Sequence, residues 1–215
     1  MKESSNRPWF KMQARGADEA ELTIFDEIGG WGQTVDDFKR SVDGVKDKAK
    51  IRLLINSPGG VVTDGWAVFN ILSRIKDKLT VEVVGLAASM ASVIALAGRE
   101  LVMDRGTYLM IHEPWTFAIG SSEELRKMAD VMDTMKADII RLYEEHSALT
   151  HDEIDAMMLA ETWITADDAV EMGFASKVED TAQAAASARF DLSRYGFNRA
   201  PLALASPRAS VPADN

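Results

Sequence analysis

Residues 79–98 read LTVEVVGLAASMASVIALAG, and the fold turns on how this stretch divides. LTVEVVG (79–85) is short, apolar and rich in β-branched residues, the composition of a strand. ASMASVIALAG (88–98) is apolar on nearly every side and built from small residues, so it reads as a helix buried most of the way round. The flanks repeat this strand-then-helix pattern. Upstream, ELTIFDE (21–27) reads as a strand, and VDDFKRSVDGV (35–45) places Val35, Phe38, Val42 and Val45 on one helical face. IRLLIN (51–56) reads as a buried strand ended by the turn signal SPGG (57–60), and TDGWAVFNILSRI (63–75) as a helix capped by Thr63 or Asp64. Downstream, short strands are expected near 100–103 and 107–112. A long helix follows from about Ser122 to His146, opened by Ser121 and Glu124 in capping-box spacing, and then helices at 151–159 and 165–172. Met128, Met132, Met135 and Ile139 make a stripe on the long helix that reads as core or subunit contact. Alternating strands and helices predict an α/β fold of repeated βαβ units around a mostly parallel sheet.

Composition limits what such a fold can do. The chain has 215 residues, 47% of them hydrophobic and 27% charged, enough for one good core. Its net charge of -10 argues against a nucleic-acid surface, which needs a basic footprint. There is no cysteine, which excludes disulfides, thiolate chemistry and Cys-based zinc sites together. The first residues, MKESSNRPWFKMQARG, carry no apolar signal-peptide core, and no run of 18 apolar residues occurs, so neither export nor a membrane span is expected and the location predicted is cytoplasmic. After Asp180 the sequence turns rich in Ala, Ser and Pro, and four arginines against two aspartates give residues 181–215 a charge of +2. Three parts are therefore expected: an N-terminal segment (1–20), a folded domain (21–180) and a flexible C-terminal tail (181–215). Within the tail, RFDLSRYGF (189–197) has aromatic and basic character that suits docking, though disorder is the reading favoured there.

Three fragments carry candidate chemistry. Ser89 stands at the strand-to-helix junction, at the carboxyl edge of the sheet, where α/β proteins place their ligands. Free N–H groups and the positive dipole end of the following helix suit an oxyanion there, so Ser89 is either a helix cap or a nucleophile. Gly59 and Gly60 bring a second backbone segment that can approach a substrate without a Cβ in the way. His112, in MIHEP (110–114), ends an apolar strand and is the one of three histidines expected on the sheet, since His146 and His151 fall near a charged helix end and in a loop. A serine nucleophile needs such a base, and the base needs a third group to fix its tautomer. No phosphate loop or metal-ligand pattern is present, so no cofactor and no metal are expected.

INSPGGVVTDG (55–65), GLAASMAS (85–92), MIHEP (110–114) and ETWITADDAVEMGF (161–174), in this order, resemble the four signature blocks of the Clp protease proteolytic subunit, within the fold group that also holds crotonases. The resemblance runs from about Leu22 to Val178. It implies Ser89 as nucleophile and His112 as general base. It also implies an oxyanion hole from the backbone amides of Gly60, or Gly59, and Met90, and a handle helix from Ser122 onward that joins rings of subunits. Where the family has its catalytic aspartate this chain has Glu161, one methylene longer, which other serine hydrolase folds accept in the orienting role. Asp155 and Asp104 are the alternatives, each read as a solvated surface charge. The N-terminal segment lacks the family's features for an axial pore and an ATPase contact, which leaves dependence on an unfoldase open. IxxWG (28–32), MIHEPW (110–115) and ETW (161–163) further resemble the Clp-like proteases of bacteriophages and prophages, which trim scaffold or capsid proteins during head maturation. The function implied is a serine endopeptidase with a Ser-His-acid triad, acting on protein substrates as a homo-oligomeric ring, in prohead maturation or general protein degradation. A catalytically silent scaffold protein and a crotonase-type acyl-CoA enzyme are the alternatives.

Overall fold

The computed structural model describes residues 8–29, 32–180, 192 and 197. In chain order the elements are β1 (Phe10–Ala14), β2 (Glu19–Ile24), α1 (Val35–Asp43), β3 (Lys50–Ser57), α2 (Val62–Ser73), β4 (Leu79–Ala88) and α3 (Met90–Ala95). There follow β5 (Glu100–Asp104), β6 (Tyr108–Ile111), α4 (Ser122–Glu145), α5 (His151–Leu159), β7 (Thr162–Thr165), α6 (Ala166–Glu171) and β8 (Lys177–Glu179). All eight strands belong to one sheet, ordered β1-β2-β3-β4-β5-β8, with β6 against β4 and β7 against β6. The β1–β2 and β6–β7 pairings are antiparallel and the others parallel, so the expected α/β class with a mostly parallel sheet is the one the chain adopts.

β4 organises the sheet because it changes partner partway along. Thr80–Val83 pair with Glu100–Met103 of β5, and Leu86–Ala88 then pair with Tyr108–Met110 of β6. On its other side β4 follows β3, with an irregularity between Ile55 and Ser57, where the Asn56 side chain accepts from Leu86 N–H at 3.2 Å. This continued pairing keeps β4 extended to Ala88, and α3 is correspondingly shorter than the expected 88–98. All six residues of α3 are buried, as its small side chains require. Gly65 of α2 makes that burial possible, since a Cβ there would stand 3.0 Å from Met90 Cβ.

Elsewhere burial follows the pleat. Along β3, Ile51, Leu53 and Ile55 face the core while Arg52 is exposed, so this strand is buried on one face only. On the outer face Arg52 bridges Glu82 of β4 at 2.5 Å and Glu21 of β2 at 3.6 Å, and Arg15 reaches Glu21 at 2.7 Å. α2 begins at Val62 after Val61, without a side-chain cap, and neither Thr63 nor Asp64 caps it. Its start is set instead by the backbone, as Val61 N–H donates to Ile28 O at 3.1 Å. The capping boxes of Thr34 with Asp37 and of Ser121 with Glu124 are both formed.

Two stretches expected outside the domain contribute to it. β1 lies within the expected N-terminal segment, and its entry residues Trp9 and Phe10 bury beside Phe38 of α1, ring centroids 4.8–5.5 Å apart. In the stretch expected as a flexible tail, Leu192 and Phe197 are buried against Leu86, Ala88 and Met110. The rest of that expectation, with residues 1–7 and Gly30 and Trp31 of the IxxWG stretch, lies outside the described residues. Phe38 is fully buried at the centre of the aromatic cluster. Phe38→Ala is expected to cost about 3–5 kcal/mol, read as a lower urea midpoint with the slope unchanged.

Candidate active site

Ser89 follows the last residue of β4 with φ 54 and ψ -127, a left-handed conformation rare for a residue with a side chain. Such strain costs on the order of 1–3 kcal/mol and persists only where surroundings fix it. Here three hydrogen bonds do so. Ser89 N–H donates to Met110 O of β6 at 2.8 Å, and Ser89 O accepts from Ser92 N–H at 2.9 Å and from Ser92 Oγ at 2.6 Å. Ser92 Oγ also lies 2.7 Å from the Tyr143 hydroxyl of α4. Burial pushes the Tyr143 phenol well above its ordinary range, so it stays protonated.

The side chain of Ser89 makes no cap hydrogen bond to α3. Its Oγ lies 2.8 Å from His112 Nε2 instead, so this side chain is not a helix cap. His112 comes one residue after β6, and β6 is the strand that receives Ser89 N–H, so one pairing places both side chains. Burial holds the imidazole below its ordinary pKa, while the charges of Glu161 and Glu113 pull it partway back.

Glu161 arrives from the opposite side of β6. The antiparallel register pairs Ile111 with Thr162, so the next step along both chains sets Glu161 across from His112. Glu161 is the second described non-glycine residue with positive φ, at 51°, and its Oε1 accepts from Trp163 Nε1 at 3.1 Å. The two alternative acids have other surroundings. Asp155 is an ion-pair partner of Lys136 at 2.5 Å, and Lys136 also binds Glu113 at 2.6 Å. Asp155, and after it Glu113, hold the Lys136 ammonium above its usual range. Asp104 is 7% exposed at the end of β5, so it is not the solvated surface charge expected.

The glycine turn packs against the serine. Gly59 has φ 97, and a Cβ added to it would stand 2.7 Å from Ser89 Cβ and 3.0 Å from Met90 N. Gly59 O accepts from Ile28 N–H at 2.8 Å, and Gly59 N–H is taken by Ser57 Oγ at 3.2 Å. Ser57 in turn donates to Asp26 O at 2.7 Å. Neither Gly60 N–H nor Met90 N–H is committed to an acceptor among the described residues. Beside them opens a cavity of about 370 Å³, lined by Ser89, His112, Gly60, Met128, Met132 and Phe197 among others. The methionine stripe of α4 thus borders this cavity and gives only Ile139 to the core. A larger depression of about 750 Å³ lies at the amino ends of β3 and β4 among Arg15, Glu21, Arg52 and Glu82, far from this chemistry. Among the described residues no group of three His, Asp or Glu side chains is placed to hold a metal ion.

Sequence reading missed Ser57, Ser92, Tyr143 and Phe197. Ser92 had one usable signal, since a serine three residues after a strained junction can bond back to its carbonyl. Tyr143 and Phe197 reach the site only through long-range packing. The family model of the Clp protease matches residues 41–182, a span that contains Gly59, Gly60, Ser89, Met90, His112 and Glu161. That span also holds the strained serine, the histidine bonded to it and the glycine turn packed on the serine, and the chain belongs to the Clp protease family.

Proposed function

We propose that the chain is a serine endopeptidase in which Ser89, His112 and Glu161 form the triad and the Gly60 and Met90 amides form the oxyanion hole. The observation that carries this reading is the 2.8 Å contact of Ser89 Oγ with His112 Nε2 at the rim of the cavity. His112 Nε2 takes the Ser89 hydroxyl proton as Oγ adds to the scissile carbonyl carbon, and the carbonyl oxygen becomes an oxyanion facing the two uncommitted amides. The C–N bond then breaks, and the amine leaves with the proton held by His112. Water, deprotonated by His112, adds to the acyl-serine, and collapse of the second oxyanion releases the acid and restores Ser89. Glu161 stabilises the imidazolium and orients the ring. The Gly59 amide is already held by Ser57, which favours Gly60 as the donor. A crotonase-type acyl-CoA enzyme would use neither Ser89 nor His112, so their pairing favours the peptidase.

The biological setting proposed is the trimming of scaffold or capsid proteins in bacteriophage head maturation, supported by the IxxWG, MIHEPW and ETW stretches. A homo-oligomeric ring is supported by the apolar side chains Trp115, Phe117 and Ile119 before α4 and Leu125 and Val131 in its first half, all exposed on this chain. A cytoplasmic location is supported by the net charge of -10, and no helix among the described residues is long and apolar enough to cross a membrane.

Intact mass after incubation with a fluorophosphonate is expected to show one adduct on the wild-type chain and none on Ser89→Ala; an adduct on both would overturn the assignment. Ser89→Ala should lower peptide turnover by a factor on the order of 10⁶, and Glu161→Gln by roughly 10⁴, because the acid acts through the base. Desolvation keeps His112 neutral to lower pH than an ordinary histidine. The acidic limb of kcat/KM against pH should therefore have its midpoint below about 6.5, with activity rising as pH rises through it.

A further inference from the structure

Phe197 is 8% exposed, although it belongs to a stretch whose composition predicts disorder. Its ring meets the His112 imidazole edge to face, centroids 5.5 Å apart at 84°, and meets Trp163 in the same way at 5.8 Å and 81°. Trp163 is the residue whose indole N–H binds Glu161. One side chain from the C-terminal stretch thus touches the histidine and also the residue that holds the acid. The seat beneath it is apolar. Leu109 and Ile111 of β6 join the main core, whereas Met110, with Leu86 and Ala88 of β4, forms a separate apolar cluster completed by Leu192 and Phe197. These three strand residues are at most 1% exposed.

We propose that Phe197 is a positioning residue of the active site, holding the plane of the His112 ring and excluding water from its flank. The proposal rests on the reading of His112 as the general base. The polar groups facing that imidazole are Ser89 from the β4–α3 junction, Glu161 from the start of β7 and Glu113 next to it in sequence, the last tied to Lys136 of α4. Glu27 lines the same cavity. Phe197 covers one flank of the imidazole from outside the sheet, and removing it admits water there. The protonated form then gains solvation, and the His112 pKa rises.

The test uses the full chain. The three histidines are titrated by NMR in wild type, Phe197→Ala and Phe197→Leu, with His146→Gln and His151→Gln giving the assignments. The rate of fluorophosphonate labelling is followed against pH in the same proteins. Phe197→Ala is expected to raise the His112 midpoint while His146 and His151 stay put, and to move the acidic limb of labelling by the same amount. A rise of one unit cuts labelling roughly tenfold at pH values below the limb. Phe197→Leu, which keeps most of the apolar bulk, should fall between the two, and it carries the test alone if the alanine variant does not fold. A His112 midpoint unchanged in folded variants overturns the proposal. If wild type takes no label at any pH yet the His112 midpoint still shifts, the peptidase reading fails and the aromatic seat stands.

Discussion

One backbone hydrogen bond, from Ser89 N–H to Met110 O, sets the geometry on which the site depends. It ends the parallel ladder between β4 and β6 at the residue where the chain turns into α3. His112 follows Met110 by two positions and so emerges from the same face of its strand, within reach of the serine. The other edge of β6 then fixes the acid, since its antiparallel register with β7 continues to Glu161 opposite His112. Three side chains separated by 72 residues in sequence are thus arranged by the two ladders of one short strand.

The junction is strained, and its surroundings explain why it persists. The positive φ of Ser89 works against the polypeptide, and the hydrogen bonds from Ser92 to its carbonyl oppose relaxation. Tyr143 braces Ser92 from α4, so a helix far along the chain supports the turn. Gly59 completes the enclosure by letting one backbone lie directly on the other. Strain at a single residue, fixed by neighbours on three elements, is how a functional group is kept in a conformation that the local sequence would not choose.

Much of this was legible in the sequence, for physical reasons that also explain what was not. Strand and helix periods located β2 to β6, α1, α2 and α4 to α6, because their apolar faces repeat strongly, whereas α3, buried all round, is shorter than expected. Ser89, His112 and the glycines could be singled out because each sits at an element end, where special chemistry has a recognisable residue type. β1 was missed because a strand of five residues with one strongly buried position offers little period. The start of α2 was misplaced because a bridge to Ile28, rather than a local cap, sets it. Asp104 and Asp155 looked alike as isolated acids, and only packing separates a buried residue from a partner of Lys136. Phe197 could not be found from composition, since what orders it is an apolar hollow formed by residues more than 80 positions earlier, together with Trp163.

The change of partner along β4 divides one strand into two provinces. Its first half lies between β3 and β5 in the middle of the sheet, where Val81 and Val83 are fully buried in the main core. Its second half leaves β5 for β6, joins the separate cluster and ends at the strained serine. The fork lets a single continuous element anchor the scaffold at one end and aim the Ser89 hydroxyl at His112 at the other. The first half is joined to the second through covalent backbone, with no loop between the foundation and Ser89.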